Sequence, residues 1–383
     1  MTSRFAGTVP SFLKDHASLY SVSPHKAALE WFRKAEFGLF IHYALASLFP
    51  KGRIGLENMA GNEADALGAL QHSPEMLDGL DLPNAVRTRC LGIKAELAAR
   101  FTAERFDAEA LCDLATRAGM KYVNFTTKHL GGLYMFRTSV SGFSAPEIIG
   151  RDLVAEMAEA CNERGLGLFL YVPPDVSRTD DLYLEHNQTV LEELLTNYGP
   201  VAGIWFDGVG KRHKNPEQYT KLPEIYASIR ELQPQCLISF KTGATGDEDF
   251  IAPEFFLFRY PVEWDTPYRQ RSWERRLEHQ RKRVLSNDVA GENTLLLMDR
   301  SLYKPAEIST TLQAARWRDG SEHTMDNGWI HHETSPRLTV EEVHFQKNIA
   351  HSQGANLILN VGLRGDGSVN PRDRDVLEKL RAD

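Results

Sequence analysis

The chain has 383 residues, of which 42% are hydrophobic and 25% are charged, and its formal net charge is −8. This composition is typical of a globular protein with a large buried core. The acidic balance excludes the broad basic surface that nucleic acids and anionic membranes attract. No stretch approaches the roughly 20 apolar residues of a membrane span, and the first residues lack a run of signal-peptide length. We therefore expect a cytoplasmic protein without nucleic-acid or membrane partners, and the sequence leaves a homo-oligomer open.

Short apolar runs alternate with helix-length amphipathic stretches along the chain. Such alternation predicts parallel strands linked by helices. The predicted strands are Phe37–His42, Tyr122–Thr127, Gly167–Val172, Gly203–Phe206, Cys236–Phe240, Phe255–Phe258, Thr294–Met298 and Asn356–Val361. The predicted helices are Asp107–Ala118, Asp152–Arg164, Asp181–Tyr198, Pro216–Leu232, Arg271–Leu285 and Val340–Ser352. Gly119 and Gly165 follow the first two of these helices, as is typical of a helix C-terminus.

A set of about eight nearly continuous apolar strands indicates a closed parallel (β/α)8 barrel of the TIM type, in the α/β class. The alternative is an open doubly wound sheet, which usually carries a glycine-rich loop after its first strand. Here Tyr43 and Ala44 follow the first predicted strand instead. We predict one barrel domain over residues 1–383, with a long insertion at about 50–101 that lacks a clear strand.

Polar and aromatic side chains stand at the ends of the predicted strands, where barrel enzymes place their catalytic groups. They are His42, His129, Tyr171, Asp207 and Lys241. Asp207 follows Gly-Ile-Trp-Phe and precedes a glycine, which indicates a carboxylate at a strand tip. A turn or helix-capping aspartate would give the same local pattern, and each histidine alone fits a buried structural role. Their occurrence at one end of a single barrel favours a functional site.

A metal site is not indicated. The four cysteines form no Cys-x-x-Cys pair, and no His-x-x-x-His or His-Glu-x-x-His spacing occurs at the strand ends. His331, His332 and Glu333 are adjacent in sequence, so their side chains would not converge from a regular element. We expect neither a metal ion nor another cofactor.

Several motifs follow one another along the chain in a specific order. They are Trp31–His42, Ala118–Tyr122 with Thr126-Thr127-Lys128-His129, Arg151-Asp152-Leu153-Val154, Tyr198-Gly199-Pro200 with Trp205-Phe206-Asp207-Gly208, and Gly354–Gly362 with Gly365-Asp366-Gly367. Over about residues 27–380 this ordered set resembles the family 29 glycoside hydrolases, the α-L-fucosidases.

The resemblance implies a retaining exo-glycosidase that acts on a small carbohydrate, with Asp207 as the nucleophile and a second carboxylic acid as the acid/base. Glu322, in the segment Ser321–Trp329, is the first candidate for the acid/base, and Asp247 and Glu254 are alternatives. The substrate-binding positions that the resemblance implies are His42, Glu57, His129, Tyr171, Trp205, Lys241 and Trp329.

The chain departs from the family pattern around the sugar-binding motifs. The family's His-Trp-Gly is His42-Tyr43-Ala44 here, its Glu-Trp is Glu57-Asn58, and the second histidine of its Lys-His-His is Leu130. A buried sugar hydroxyl that loses its partner costs about 1–3 kcal/mol. α-L-Fucose is therefore the default sugar and a different sugar is the alternative. A non-catalytic carbohydrate-binding barrel is a further alternative, against which the retention of Asp207 and both histidines argues. The chain ends after the predicted barrel, so we expect no C-terminal β-sandwich.

Overall fold

The computed structural model describes residues 7–49, 73–77, 82–129, 131–173, 181–207, 221–240, 245–252, 286–287, 293–297, 300–303, 305–313, 328–352 and 354–380. Within these ranges the strands are β1 (Phe37–His42), β2 (Tyr122–Thr126), β3 (Gly167–Val172), β4 (Gly203–Phe206), β5 (Leu237–Phe240), β6 (Ser286–Asn287), β7 (Asn293–Leu297), β8 (Arg300–Tyr303), β9 (Ala306–Thr311) and β10 (Ala355–Gly362). The α-helices there are Ala17–Tyr20, Pro24–Ala35, Pro74–Leu77, Asn84–Arg100, Ala108–Arg117, Ala145–Ile149, Leu153–Arg164, Asp181–Asn197, Leu222–Leu232, Val340–Ser352 and Pro371–Lys379, and short 3-10 helices span Ser11–His16 and Leu45–Leu48.

Seven of the strands form one parallel sheet in the order β5-β4-β3-β2-β1-β10-β9. Its two edge strands are linked by the short segment Asp249–Ile251. In that segment Phe250 bridges Ser239 of β5, and Ile251 bridges Ala306 of β9, both in parallel. The segment therefore closes the sheet into a ring, and the α/β barrel expected from the sequence is confirmed.

Side chains of the barrel strands are buried on both faces of the sheet, which explains their nearly continuous apolar sequences. Along β1, Leu39 and Ile41 belong to the outer core under the surrounding helices. The intervening Phe40 belongs to a separate inner core that fills the barrel. Alternation along a strand thus assigns each residue either to the helix layer or to the barrel interior.

The helix Pro24–Ala35, which the sequence analysis did not predict, closes the N-terminal end of the barrel. Its Trp31 ring stacks on Phe169 with a centroid distance of 6.3 Å, and its Phe32 ring lies 4.3 Å from that of Phe250. A Cβ atom at Gly167 would lie 2.3 Å from the Trp31 ring. The first residue of β3 must therefore be glycine for this helix to dock, and the helix covers this end of the barrel interior.

Two helices of the outer layer begin and end as the sequence predicted. Asp107 accepts the backbone N–H of Ala110, and Asp152 accepts that of Ala155, each at 2.9 Å. These aspartates satisfy backbone donors that the first helical turn leaves unpaired. Gly165 ends the second helix with φ +65°, a conformation that costs glycine little.

One predicted barrel strand is wrong, and one observed barrel strand was not predicted. The apolar run expected at Thr294–Met298 forms β7 at Asn293–Leu297, which belongs to a separate antiparallel sheet of order β6-β7-β8. An apolar run by itself does not specify its partner strand, so the assignment to the barrel failed. The barrel instead uses β9, whose sequence Ala-Glu-Ile-Ser-Thr-Thr is largely polar. The strand expected at Phe255–Phe258 and the helix expected at Arg271–Leu285 lie outside the described residues.

The described parts of the predicted insertion are helical, at Pro74–Leu77 and Asn84–Arg100. All four cysteines are buried thiols. In the stretches that the structure covers, no helix combines the length and apolar character needed to span a membrane.

Candidate active site

Asp207 directly follows β4, and its backbone N–H donates to the Val172 carbonyl oxygen of β3 at 3.2 Å. The Tyr171 hydroxyl donates to Asp207 Oδ2 at 2.5 Å. A hydrogen bond to an ionised carboxylate is stronger than one between neutral groups and favours the charged form. The structure therefore places an oriented carboxylate at the carboxyl end of the barrel, where the sequence predicted it.

Two histidines and the same tyrosine form a compact aromatic group beside this carboxylate. The ring centroids of His42 and His129 lie 5.1 Å apart, and those of His129 and Tyr171 lie 5.3 Å apart. The His42 and Tyr171 rings are separated by 5.7 Å. His42 ends β1, whereas His129 follows β2, so the parallel register of neighbouring strands brings them together.

Two tryptophans extend this group. Trp205, in β4, stacks on Tyr171 with a centroid distance of 5.6 Å and an interplanar angle of 22°. The ring centroids of Trp329 and His42 lie 5.4 Å apart. Indole and phenol faces can provide apolar contact, while imidazole nitrogens can donate or accept hydrogen bonds, so this group can bind a small molecule that has both apolar and polar faces.

The six side chains differ in their access to solvent. His42, Tyr171 and Trp205 are buried, with 2–4% of their surface exposed. Asp207, His129 and Trp329 are partly exposed. The buried set forms the floor of a site, and the partly exposed set forms its rim. A small molecule that enters from the carboxyl end would meet the carboxylate at this rim.

Two supporting residues were not predicted from the sequence. Asn360 Oδ1 lies 2.6 Å from His42 Nδ1, and the Asn360 amide nitrogen donates to the Trp329 carbonyl oxygen at 2.9 Å. Glu307 Oε1 accepts the indole N–H of Trp205 at 3.0 Å. Both could have been recognised in the sequence as polar residues within buried strands. A buried polar side chain requires a hydrogen-bond partner.

Asp247 lies away from this group. Its side chain is exposed, and its backbone carbonyl oxygen accepts Arg230 Nη2 at 2.6 Å. Arg230 is in the last turn of the helix Leu222–Leu232. In a β/α barrel the last turn of such a helix lies at the N-terminal ends of the strands. Asp247 therefore lies near the end of the barrel opposite Asp207.

The remaining predicted site residues, Glu57, Lys241, Glu254 and Glu322, lie outside the described residues. Across the described stretches, no three His, Cys, Asp or Glu side chains are grouped as a metal site would require.

Comparison with known proteins identifies the family. A family model for alpha-L-fucosidases matches residues 14–382, nearly the whole chain. The chain belongs to the alpha-L-fucosidase family. This family resemblance, expected from the order of the sequence motifs, is thereby confirmed, and it places the chain among glycoside hydrolases.

Curated members of the family match parts of this chain. "Alpha-L-fucosidase 1" of Arabidopsis thaliana is 31% identical over 167 residues, which is 40% of this chain and 32% of the plant protein. "Plasma alpha-L-fucosidase" of Rattus norvegicus is 25% identical over 361 residues, or 88% of this chain and 65% of the rat protein. The chain therefore spans about a third of the length of the plant relative and just under two thirds of the rat relative.

Solved fucosidase structures share the fold. Alpha-L-fucosidase AlfC from Lactobacillus casei, in complex with its α-L-fucose product, matches with a TM-score of 0.59 and 22% identity over 92% of this chain and 96% of its own. Alpha-L-fucosidase isoenzyme 1 from Paenibacillus thiaminolyticus matches with a TM-score of 0.61 and 22% identity over 94% and 75% of the two chains. At this identity the likeness supports the α/β barrel of this alpha-L-fucosidase family member.

Proposed function

We propose that this protein is a retaining exo-glycoside hydrolase that releases α-L-fucose from an oligosaccharide or glycoconjugate, with Asp207 as its nucleophile. The observation that carries the proposal is the hydrogen bond from the Tyr171 hydroxyl to Asp207 Oδ2 at the rim of a site lined by aromatic rings. A carboxylate serves as a nucleophile only when it is ionised and held in place, and this contact supports both conditions.

In this mechanism Asp207 attacks the anomeric carbon while the bond to the leaving oxygen breaks. Tyr171 holds one carboxylate oxygen, and the other oxygen is the proposed attacking atom. The covalent glycosyl-enzyme intermediate is then attacked by water, which restores the original anomeric configuration. The acid/base residue first protonates the leaving oxygen and later removes a proton from that water.

The acid/base is proposed among the carboxyl groups that the sequence singled out. Asp247 is the weakest of these because it lies near the opposite end of the barrel from Asp207. Glu254 follows the closing segment Asp249–Ile251 by three residues, and catalytic groups of barrel enzymes follow the carboxyl ends of their strands. We therefore propose that the acid/base is either Glu322, the first candidate from the sequence, or Glu254.

The sugar site is proposed to use its aromatic and imidazole groups for different parts of the ligand. His42 and His129 would bind sugar hydroxyls, while Trp205 and Trp329 would contact its apolar surface. His42 is suited to this role because Asn360 fixes its ring orientation. Glu57 and Lys241 are proposed as further substrate contacts.

A different sugar remains the second candidate, because the turn after His129 differs from the family pattern. The turn is closed by the Gly132 N–H, which donates to the His129 carbonyl oxygen at 2.9 Å. Its Gly131 and Gly132 have φ values of +108° and +75°. Leu130 stands in this turn where the family has a second histidine. One hydroxyl-binding imidazole is thereby lost, and a sugar that does not require it would fit this chain equally well.

The first test is release of nitrophenol from a panel of nitrophenyl glycosides by the wild type and by Asp207→Asn. The matched control is Asp113→Asn, which changes an aspartate on the outer helix Ala108–Arg117. Turnover of the α-L-fucoside that only Asp207→Asn abolishes supports the proposal. Turnover of another glycoside alone rejects fucose and keeps the mechanism. A folded wild-type protein that binds fucose but turns over no glycoside would favour the non-catalytic barrel.

Azide rescue distinguishes the roles of the carboxyl groups. With an activated α-L-fucoside, azide added to Asp207→Ala should give the β-fucosyl azide, because azide replaces the nucleophile. Azide added to the acid/base variant, Glu254→Ala or Glu322→Ala, should give the α-fucosyl azide, because it attacks the covalent intermediate. Inversion in the first product that the wild type releases would refute the retaining mechanism.

A further inference from the structure

Glu307 is a carboxyl group inside the barrel that the proposed reaction does not use. It is the second residue of β9, and only 1% of its surface is exposed. Glu307 Oε1 accepts a hydrogen bond from the indole N–H of Trp205 at 3.0 Å. The Tyr122 hydroxyl also faces it, in poorer geometry. A buried carboxyl group is costly to maintain, so its placement requires an explanation.

The position of Glu307 relative to the candidate site is set by the sheet. Glu307 stands opposite Asn356, near the N-terminal ends of β9 and β10. Trp205 is the third of the four residues of β4 and precedes Asp207 by two residues. The Trp205 indole therefore extends from the level of the site down towards Glu307. Glu307 is separated from the substrate by this indole, so it does not take part in the chemistry itself.

From Trp205 a continuous set of contacts leads to the proposed nucleophile. The Trp205 ring stacks on Tyr171 at 5.6 Å, and the Tyr171 hydroxyl donates to Asp207 Oδ2 at 2.5 Å. An indole that is free to rotate about its χ angles would leave the Tyr171 ring without its packing partner on that face. A hydrogen bond at the indole nitrogen removes that freedom.

We propose that Glu307 is a positioning residue: it fixes the Trp205 indole through its N–H, and the indole in turn holds Tyr171 in the orientation that donates to Asp207. Its effect on turnover rests on the proposed function, whereas its effect on Trp205 does not.

The protonation state of Glu307 offers a second way to observe its contact with Trp205, one that does not depend on turnover. Burial raises the pKa of this carboxyl group to about 7, against the opposing effect of hydrogen bonds from Tyr122 and Trp205. Burial and the nearby Glu307 also raise the pKa of Tyr122 well above its usual value, so its hydroxyl stays neutral. Within the described part of the chain no charged group offsets an ionised Glu307. The Trp205 indole therefore meets a neutral acid below pH 7 and an anion above it.

Three variants test the positioning role. Glu307→Gln keeps an oxygen that can accept the indole N–H, and we expect it to retain kcat within about three-fold. Glu307→Leu removes the acceptor, and we expect kcat for the α-L-fucoside to fall about ten-fold with a smaller change in KM. Asp373→Asn is the matched control, because Asp373 is another fully buried carboxyl group but pairs with Arg337 outside the site. It should lower stability without changing kcat.

A double-mutant cycle with Trp205→Phe separates positioning from a general structural effect. Once the indole N–H is absent, Glu307→Leu should have no further effect on kcat, so the two losses should not add. Additive losses, or a Glu307→Leu variant that is folded and fully active, would overturn the proposal.

Fluorescence provides a readout that needs no substrate. The emission assigned to Trp205, as the difference between wild type and Trp205→Phe, should change with a midpoint near pH 7. The change should be absent in Glu307→Gln. A protein that shows this transition but turns over no fucoside would refute the proposed function and leave the contact of Glu307 with Trp205 intact. A transition that persists in Glu307→Gln would overturn the positioning proposal, whatever the substrate.

Discussion

At the scale of single residues, the chain uses the same tyrosine–aspartate hydrogen bond in two settings. Tyr198 donates to Asp152 Oδ2 at 2.7 Å, and Asp152 also caps a helix. Tyr171 donates to Asp207 Oδ2 at 2.5 Å at the open end of the barrel. The first pair fastens two elements together, whereas the second holds the carboxylate proposed as the nucleophile. The difference lies in the surroundings of the pair and not in its geometry.

This duplication provides a matched pair of variants. We expect Tyr171→Phe to lower kcat for the α-L-fucoside by about 10- to 100-fold, since a hydrogen bond to a charged group contributes about 1.5–3 kcal/mol. Tyr198→Phe should lower the unfolding temperature and leave kcat unchanged. Steady-state kinetics and thermal unfolding of both variants check this. Equal kinetic effects of the two substitutions would contradict it.

The sequence identified His42, Tyr171 and Asp207 because each stands at a strand end, a position that can be read from local pattern alone. It did not identify Asn360 and Glu307, which act on residues 318 and 102 positions away. Such partners are set by the order of strands around the ring, and a local pattern contains no information about that order.

At the scale of elements, β9 shows why one barrel strand escaped prediction. Its Glu307, Ser309 and Thr311 alternate with Ile308 and Thr310. The first three share the barrel interior, where Glu307 meets Trp205 and the Thr311 hydroxyl meets the Asn360 amide. A strand that carries polar groups on its inner face lacks the apolar run by which the others were recognised. The polar residues on this face of the strand instead contact residues that border the candidate site.

The insertion helix Asn84–Arg100 supports the loop that carries His129. The Lys94 side chain is 1% exposed, and its Nζ donates to the Gly131 carbonyl oxygen at 2.6 Å. Gly131 lies within the turn that begins at His129. The helix that was predicted to be part of an insertion therefore supports the framework of the candidate site.

We expect Lys94→Met to raise KM for the α-L-fucoside about ten-fold with a smaller effect on kcat, because the turn loses its anchor and His129 its fixed position. Lys379→Met, which changes an exposed lysine in the helix Pro371–Lys379, is the control and should leave both constants unchanged. Initial-rate measurements over a range of fucoside concentrations give KM and kcat for both variants and test this expectation. A Lys94→Met variant with unaltered KM would show that the turn is held by other contacts.

At the scale of the whole molecule, the barrel is filled by an inner core in which burial perturbs the carboxyl group of Glu307. The pKa of Glu307 is raised from 4.5 to about 7 by burial. The folded protein thus binds this proton more tightly than the unfolded chain does. The contribution to stability is fully present below pH 4.5 and is lost as the pH rises through 7.

We therefore expect the free energy of unfolding of the wild type to fall between pH 5 and pH 8 by up to about 3 kcal/mol relative to Glu307→Gln. Urea titrations of both proteins at the two pH values measure the difference. Other titrating groups contribute to both proteins and cancel in the comparison. Parallel pH dependence in the two proteins would contradict the assignment.

Among the described residues, the ring of strands is closed at one place by a segment of three residues. β1 and β10 pair over six residues, whereas Asp249–Ile251 makes one bridge to each neighbour. A structure opens first where the fewest backbone hydrogen bonds must break. The Ile251 carbonyl oxygen accepts the backbone N–H of Glu307 at 2.8 Å, so this seam adjoins the buried acid. We expect water to reach the acid when this seam opens, so the deuterium exchange rate of the Glu307 amide should report how quickly the barrel interior can respond to a jump in pH.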